Sequence, residues 1–405
     1  MRLCEKLVRN SALSPSERAR LLQAQRVVAD EVAAYYYLGT DQEYWSLTRD
    51  FPNLAPPFES FFIECRAPEA IVSRETGITR WTPEMGYEWG HLFLTTSRRQ
   101  RIEALCEEEG RQRLWQETHD ERERLLVTLR DWQSNVLPQE GRHPLQDQSG
   151  FSPSLVQAYV ERARRLLDAL GAGRRDEAQR VLESDPWEWS LELLTYVNFS
   201  RSERHLTGPL WWTRLRILPT GEVETDVQGN AIWEDEPLGW VNQSLQLLRR
   251  REGFAAYARA VQEARLSIAP LIDTALLTIC FLHCRNVVLQ EVRPSRKPLS
   301  NQQRRRGERP RVPLSYHVLD IRPMREVLRQ EGQEERMGAR RALHICRGHF
   351  AHYEERGLFG KYKGTFWRPQ HVRGSAERVQ LKDYRLSLPG QDPRVPRRPG
   401  KERRP

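Results

Sequence analysis

The sequence predicts an α+β protein: a helix-rich body with short strands, followed by a basic, strand-rich C-terminal module. Three observations carry this. Charge is segregated along the 405 residues: Arg285 to Pro405 holds 30 Lys+Arg against 13 Asp+Glu, a balance of +17, while the whole chain is only +9, which leaves −8 for residues 1–284. Helical spacing dominates the first part, in long stretches opened by cap residues. Short apolar runs punctuated by Gly and Pro dominate the last quarter.

A chain of this length can bury a sizeable core, and two or more domains are expected. The predicted divisions are an N-terminal α+β region at 1–150, a helix-rich region with a β-hairpin at 151–284, the basic β-rich module at 285–388, and a disordered Pro- and Arg-rich tail at 389–405. Ser14-Pro15-Ser16-Glu17 opens a predicted helix to about Leu38, with Pro in the first turn where its missing N–H costs nothing. Phe58–Cys65 and Trp89–Thr96 read as strands, and Gly77 to Gly86 between them as loop or hairpin. A charged helix is predicted from Arg99 to Trp132, with Glu and Arg at spacings that pair on a solvated face. The polar stretch from Ser134 to Ser152 reads as a linker. Helices follow near Ser152–Leu170 and Asp176–Leu182. Pro209–Ile217, Glu222–Asp226 and Ala231–Trp233 read as a hairpin around Thr220-Gly221 and Gln228-Gly-Asn. Leu238–Arg250 and Gly253–Cys284 read as helices, the second bent or restarted at Pro270. Beyond Arg285, strands are predicted at Asn286–Val292, Leu314–Ile321 and Arg341–Tyr353, with a basic loop over Pro294–Val312 and a short helix or ordered loop over Glu326–Met337.

Pro56-Pro57-Phe58 with Phe61-Phe62-Ile63-Glu64, Arg305-Arg306-Gly307 ahead of Ser315-Tyr316-His317, Arg347-Gly348-His349 and His371-Val372-Arg373-Gly374 together resemble a group of uncharacterised proteins of bacterial genomes and phage-like elements. The resemblance covers most of the chain. It implies a bacterial or phage origin and this order of elements, and it implies no activity.

Composition narrows the setting. Six scattered cysteines (Cys4, Cys65, Cys106, Cys280, Cys284, Cys346) make no disulfide scaffold and fit a reducing cytoplasm. The first residues lack the apolar run of a signal peptide. The longest apolar stretch, Ile268–Leu282, is interrupted by Pro270 and Asp273 and reads as a buried core helix, so no membrane partner is expected. No P-loop, dinucleotide-binding glycine fingerprint, nucleophile elbow or His-Glu-x-x-His pattern occurs.

The expected partner is nucleic acid, RNA or single-stranded DNA with RNA ahead, because a basic module releases counterions from each phosphate it neutralises. Arg304, Arg305, Arg306, Lys361, Lys363, Trp367 and Arg368 are the expected binding residues, Trp367 as a platform for an exposed base. The plainer reading makes Trp367 a core anchor and the charges a solvated surface. Arg347, His349, His371 and Arg373 are the expected catalytic residues of a metal-independent endoribonuclease: histidine serves as base and acid, and arginine holds the phosphate. In one continuous strand, 347 and 349 share a face and 344 and 346 the other. The plainer reading is a basic strand with structural histidines. Cys280 and Cys284, four apart on a helix, could join Cys346 and His344 around zinc; their apolar flanks make them core residues instead, and neither a metal nor a cofactor is expected. Glu64 is an acid at the end of an apolar strand, with no partner legible in the sequence. The competing reading of the whole chain is a non-catalytic interaction protein, whose basic module binds an acidic protein partner or its own acidic body.

Overall fold

The structure is a computed structural model. It describes residues 2–30, 32, 33, 36, 50–66, 69–72, 79–82, 87–136, 153–198, 206, 208–225, 231–293, 314–321, 342–346, 349–358, 362–368, 371–373 and 375–379. The architecture is α+β, with eight helices and an eight-stranded mixed sheet among the described residues. The chain divides into a large unit, residues 1–67 and 87–321, and a smaller one, residues 68–86 and 322–405.

The large unit begins with α1 (Leu3–Arg9) and α2 (Pro15–Gln23). α2 opens at Ser14-Pro15 as expected, and Ser14 caps it: its side chain accepts from the Glu17 N–H, and Glu17 reaches back to the Ser14 N–H. The predicted helix to Leu38 does not hold. α2 stops at Gln23 and the chain turns into β1 (Gln25–Val28). Val27 and Val28 are β-branched, and they pair in parallel with Ile63 and Glu64 on one side and with His317 and Val318 on the other.

β2 (Ser60–Arg66) and β5 (Glu88–Ser97) are close to the predicted strands and pair antiparallel, Phe61 opposite Phe93 and Glu64 opposite Gly90. The Phe61 and Phe93 rings stack at 4.5 Å in the core, each burial contributing about 1.5–3 kcal/mol. β6 (Trp189–Asn198) is a central strand that pattern reading did not find; β7 (Trp211–Ile217) and β8 (Trp233–Pro237) extend the sheet from it. β9 (Val287–Val292) and β10 (Tyr316–Ile321) are strands as predicted, yet they belong to this sheet and not to the C-terminal unit. The order is β8-β7-β6-β5-β2-β1-β10-β9.

One face of the sheet carries Phe62, Leu92 and Tyr196 against α1 and α2. Further along the same face, Arg214 and Arg216 of β7 meet Glu121 of α4 (Glu108–Val136) and Tyr159 of α5 (Pro153–Gly171). The predicted helix from Arg99 is two helices, α3 (Arg98–Ala104) and α4. They meet where a Cβ on Gly110 would lie 2.5 Å from the Ala104 carbonyl oxygen. α6 (Arg175–Glu183) completes that layer through Leu105, Leu114, Leu166 and Leu182. α8 (Phe254–Leu282), preceded by α7 (Gly239–Glu252), contacts β2, β5 and β9. It runs through Pro270 as one continuous helix, and Leu271 to Phe281 are largely buried. By length and composition α8 could cross a membrane; here its C-terminal half forms core.

Gly90 has no room for a side chain: an added Cβ would sit 2.4 Å from Phe62 Cζ, in the middle of the β2–β5 pairing. Gly90→Ala is expected to destabilise the protein by about 1–3 kcal/mol through overpacking. Urea denaturation checks this, and Gly90→Ala combined with Phe62→Leu should recover part of the loss.

In the smaller unit, β3 (Glu69–Val72) pairs antiparallel with β4 (Thr79–Thr82). β11 (Ala342–Cys346), β14 (His371–Arg373) and β15 (Ser375–Val379) form a three-stranded sheet, and β12 (His349–Leu358) pairs with β13 (Tyr362–Arg368). The expected tail from 389 and the expected element at 326–337 lie outside the described residues.

Candidate nucleic-acid interface

Recounted by unit, the charge asymmetry becomes more local. The smaller unit carries 23 Lys+Arg against 13 Asp+Glu, or +10, and the large unit 41 against 42, or −1. Of the +17, residues 322–405 hold +11 and residues 285–321 hold +6; the latter include β9 and β10 of the large sheet and the stretch with Arg304, Arg305 and Arg306. That triplet and Lys361 lie outside the described residues.

The β12–β13 hairpin is built on aromatic pairs. Phe350 opposes Trp367 in register, with ring centroids 4.8 Å apart, and Tyr353 meets Phe366 at 5.9 Å. Phe366 and Trp367 are buried. Trp367 therefore packs the hairpin; a buried ring presents no face on which a base can stack, and the platform expected from the sequence is corrected to a core anchor. Lys363 is exposed. His352 is exposed too, its Nδ1 3.0 Å from Thr365 Oγ1. Gly364, opposite Tyr353, has φ +108, a conformation other residues rarely adopt. Arg368 stands opposite His349 in the ladder.

The expected catalytic set is not assembled by one strand. β11 ends at Cys346 and β12 begins at His349, and the two belong to different sheets, with Arg347 and Gly348 between them outside the described residues. Alternation thus does not run from 347 to 349, which removes the reason for placing those two side chains on one face. His371 and Arg373 stand in register with Cys346 and His344. These are the two positions that alternation had set apart from the expected pair.

Cys280 and Cys284 are buried, as expected of core residues. The Cys280 thiol donates to the Asn53 carbonyl at 3.3 Å and the Cys284 thiol to the Cys280 carbonyl at 3.4 Å. Among the described residues no three His, Cys, Asp or Glu side chains cluster as a metal would need.

The large unit holds two charged clusters that sequence reading missed. Glu64, which had no legible partner, ends β2 beside the N-terminal helix, and the Cys4 N–H donates to its Oε2 at 2.9 Å. Burial is the main cause that pushes Glu64 up to about 7, offset in part by that bond and by Arg2, with Asp30 and Glu88 adding to the rise. Arg2 pairs with Asp30 at 2.7 Å, and Glu88 is held by Lys6, Arg66 and Asn198. Burial alone would raise Glu88, but Lys6 and Arg66 hold it below the usual carboxylate range. The cluster fastens α1 to the ends of β2 and β5.

The second cluster lies between β7 and the α3–α6 layer. Arg216 bonds Glu121 at 2.9 Å and Glu234 at 2.6 Å, and Arg214 bonds Glu192 at 2.8 Å. Asp185 is shared by Arg162, which grips both its oxygens, and Arg101, at 3.2 Å. Both guanidinium groups also lie over Trp187. Burial, and then the neighbouring Arg162, lower Arg101 to about 10. The alternating Arg214 and Arg216 on one strand were the only trace of this network in the sequence.

Comparison with protein-family models, with curated proteins and with solved structures finds no match to this chain.

Proposed function

We propose that this is a nucleic-acid-binding protein of bacterial or phage origin, acting in the cytoplasm, with the polyanion held by the smaller unit and RNA preferred to DNA. The observation that carries the reading is the +10 balance of that unit against −1 for the rest. Such a field attracts phosphates regardless of sequence. The near-neutral large unit offers little reason for the basic unit to dock on its own body, which favours an external polyanion over the self-binding alternative. The aromatic hairpin supplies rigidity, and its exposed Lys363 supplies charge. Cleavage is not needed by this reading; wild-type protein incubated with RNA in chelator tests it directly.

Fluorescence anisotropy with labelled RNA, single-stranded DNA and duplex DNA is the test. The expected affinity falls linearly in log–log form as salt rises, and Lys363→Glu should weaken all three nucleic acids together and reduce the salt slope by about one. Binding that ignores salt, or no binding to any of them at low ionic strength, returns the protein to the interaction-protein reading.

A further inference from the structure

α7 and α8 form a helical hairpin that turns at Gly253, whose φ is +86. The two halves of α8 differ. Leu271 to Phe281 is core, but from Phe254 to Pro270 no residue is buried, and in α7 only Leu245 is. Yet apart from Arg259, Gln262, Glu263, Arg265 and Ser267, residues 254–270 are all Ala, Val, Leu, Ile, Phe, Tyr or Pro. A helix apolar on nearly every side is built to be covered.

Three of the six large apolar side chains exposed among the described residues lie on this hairpin: Trp240 at 47%, Leu247 at 53% and Leu266 at 51%. Trp240 and Leu247 are seven residues apart and so lie on one line along α7, which Arg251 continues one turn later. The turn itself is basic. Arg249 lies 5.4 Å from the ring centroids of Phe254 and of Tyr257. Arg250, Arg251 and Arg259 are exposed, and their guanidinium groups make no hydrogen bond or ion pair among the described residues. Arg265, by contrast, is held by Asp235 at 2.8 Å. Only Glu252 and Glu263 offer negative charge between Gly239 and Pro270.

We propose that the α7–α8 hairpin docks the protein on an anionic phospholipid surface, with Trp240 and Leu247 entering the boundary between headgroups and acyl chains and Arg250 and Arg251 meeting the lipid phosphates. Tryptophan favours that boundary, and arginine lays its apolar stem along it while its head stays with the phosphates. Charge and apolarity choose this occupant together. A nucleic acid would satisfy the arginines but leave Leu247 and Leu266 in water. A second copy would cover the leucines but bring the same surplus of arginine. The core half of α8 takes no part, so the protein rests on the bilayer and does not cross it. The inference stands apart from nucleic-acid binding, since it uses none of the smaller unit.

The test is flotation of the full chain with vesicles of phosphatidylcholine alone and of phosphatidylcholine mixed with phosphatidylglycerol. Binding to the mixed vesicles is expected, at least about tenfold stronger than to phosphatidylcholine alone. Leu247→Glu and, separately, the pair Arg250→Gln with Arg251→Gln should each weaken it about tenfold or more. These positions are exposed on a helix, so the variants should fold, which circular dichroism verifies. Val127→Glu, at an equally exposed apolar position on α4, should leave binding unchanged. No binding to the mixed vesicles overturns the proposal. So does full binding in Leu247→Glu, which would mean that the basic smaller unit alone draws the protein to anionic lipid. A dimer in sedimentation velocity that Leu247→Glu abolishes, with vesicle binding intact, overturns it in favour of a second copy.

Discussion

Asp185→Asn is expected to destabilise the large unit by about 3–5 kcal/mol, the cost of leaving buried charge without its counter-ion. Asp185 is 3% exposed and is the only carboxylate within ion-pair distance of both Arg101 and Arg162 among the described residues. Losing it would leave two guanidinium groups over Trp187 with no carboxylate in direct ion-pair contact and only the more distant Glu121 acting on both. The carboxamide can still accept a hydrogen bond but supplies no charge. The loss should be non-additive with Arg162→Met, which removes one of the stranded cations and restores part of the stability. Denaturant midpoints of the two single variants and the double variant check this. A loss under about 1 kcal/mol in Asp185→Asn would show that water, not Asp185, carries the compensation.

Asp273→Asn should do the opposite and stabilise the protein at neutral and alkaline pH. Asp273 lies in the apolar half of α8, where burial pushes it up to about 7 from 3.8; the Tyr36 hydroxyl donates to it at 3.0 Å and offsets only part of the rise. A carboxyl with a raised folded-state pKa binds its proton more tightly folded than unfolded. Its contribution is therefore complete below pH 3.8 and declines as pH rises to about 7, above which it is flat. The total is on the order of 4 kcal/mol. Glu64 acts in the same direction between 4.5 and about 7. Wild-type stability should thus fall from pH 5 to pH 8, and Asp273→Asn should flatten the fall. A variant whose profile runs parallel to wild type would refute the assignment.

Much of the fold was legible where a signal is local. The Ser14-Pro15 start of α2, the short apolar runs of β2 and β5, and the buried half of α8 all announce themselves within a few residues. β1 did not, because four residues following a capped helix read as more helix; only its two parallel neighbours make it a strand. β6 did not either: polar Ser190, Glu192 and Thr195 break up its apolar residues, and its pairing with β5 and β7 is what makes it a strand. The same limit applied to the sites. A run of His and Arg between 344 and 353 looked like one strand, whereas β11, to Cys346, and β12, from His349, join different sheets through partners distant in sequence. Arg101 and Asp185 are unremarkable in sequence, since each sits in a charged stretch and gains its meaning from distant partners.

The place of β1 also bears on how the protein is made. β1 is flanked by β2 on one side and β10 on the other, and roughly 250 residues separate the end of β2 from the start of β10. At about 5–20 residues per second, a ribosome needs roughly 10–50 s to cross that interval. Throughout it, one edge of the nascent sheet waits, with the N–H and C=O groups of Gln25–Val28 that face away from β2 unsatisfied. Arg26, whose guanidinium later reaches the Ser315 carbonyl, supplies a charge that discourages wrong strand pairing in the meantime. A chain stalled before Tyr316 would keep that edge open and become a client for chaperones rather than a folded fragment.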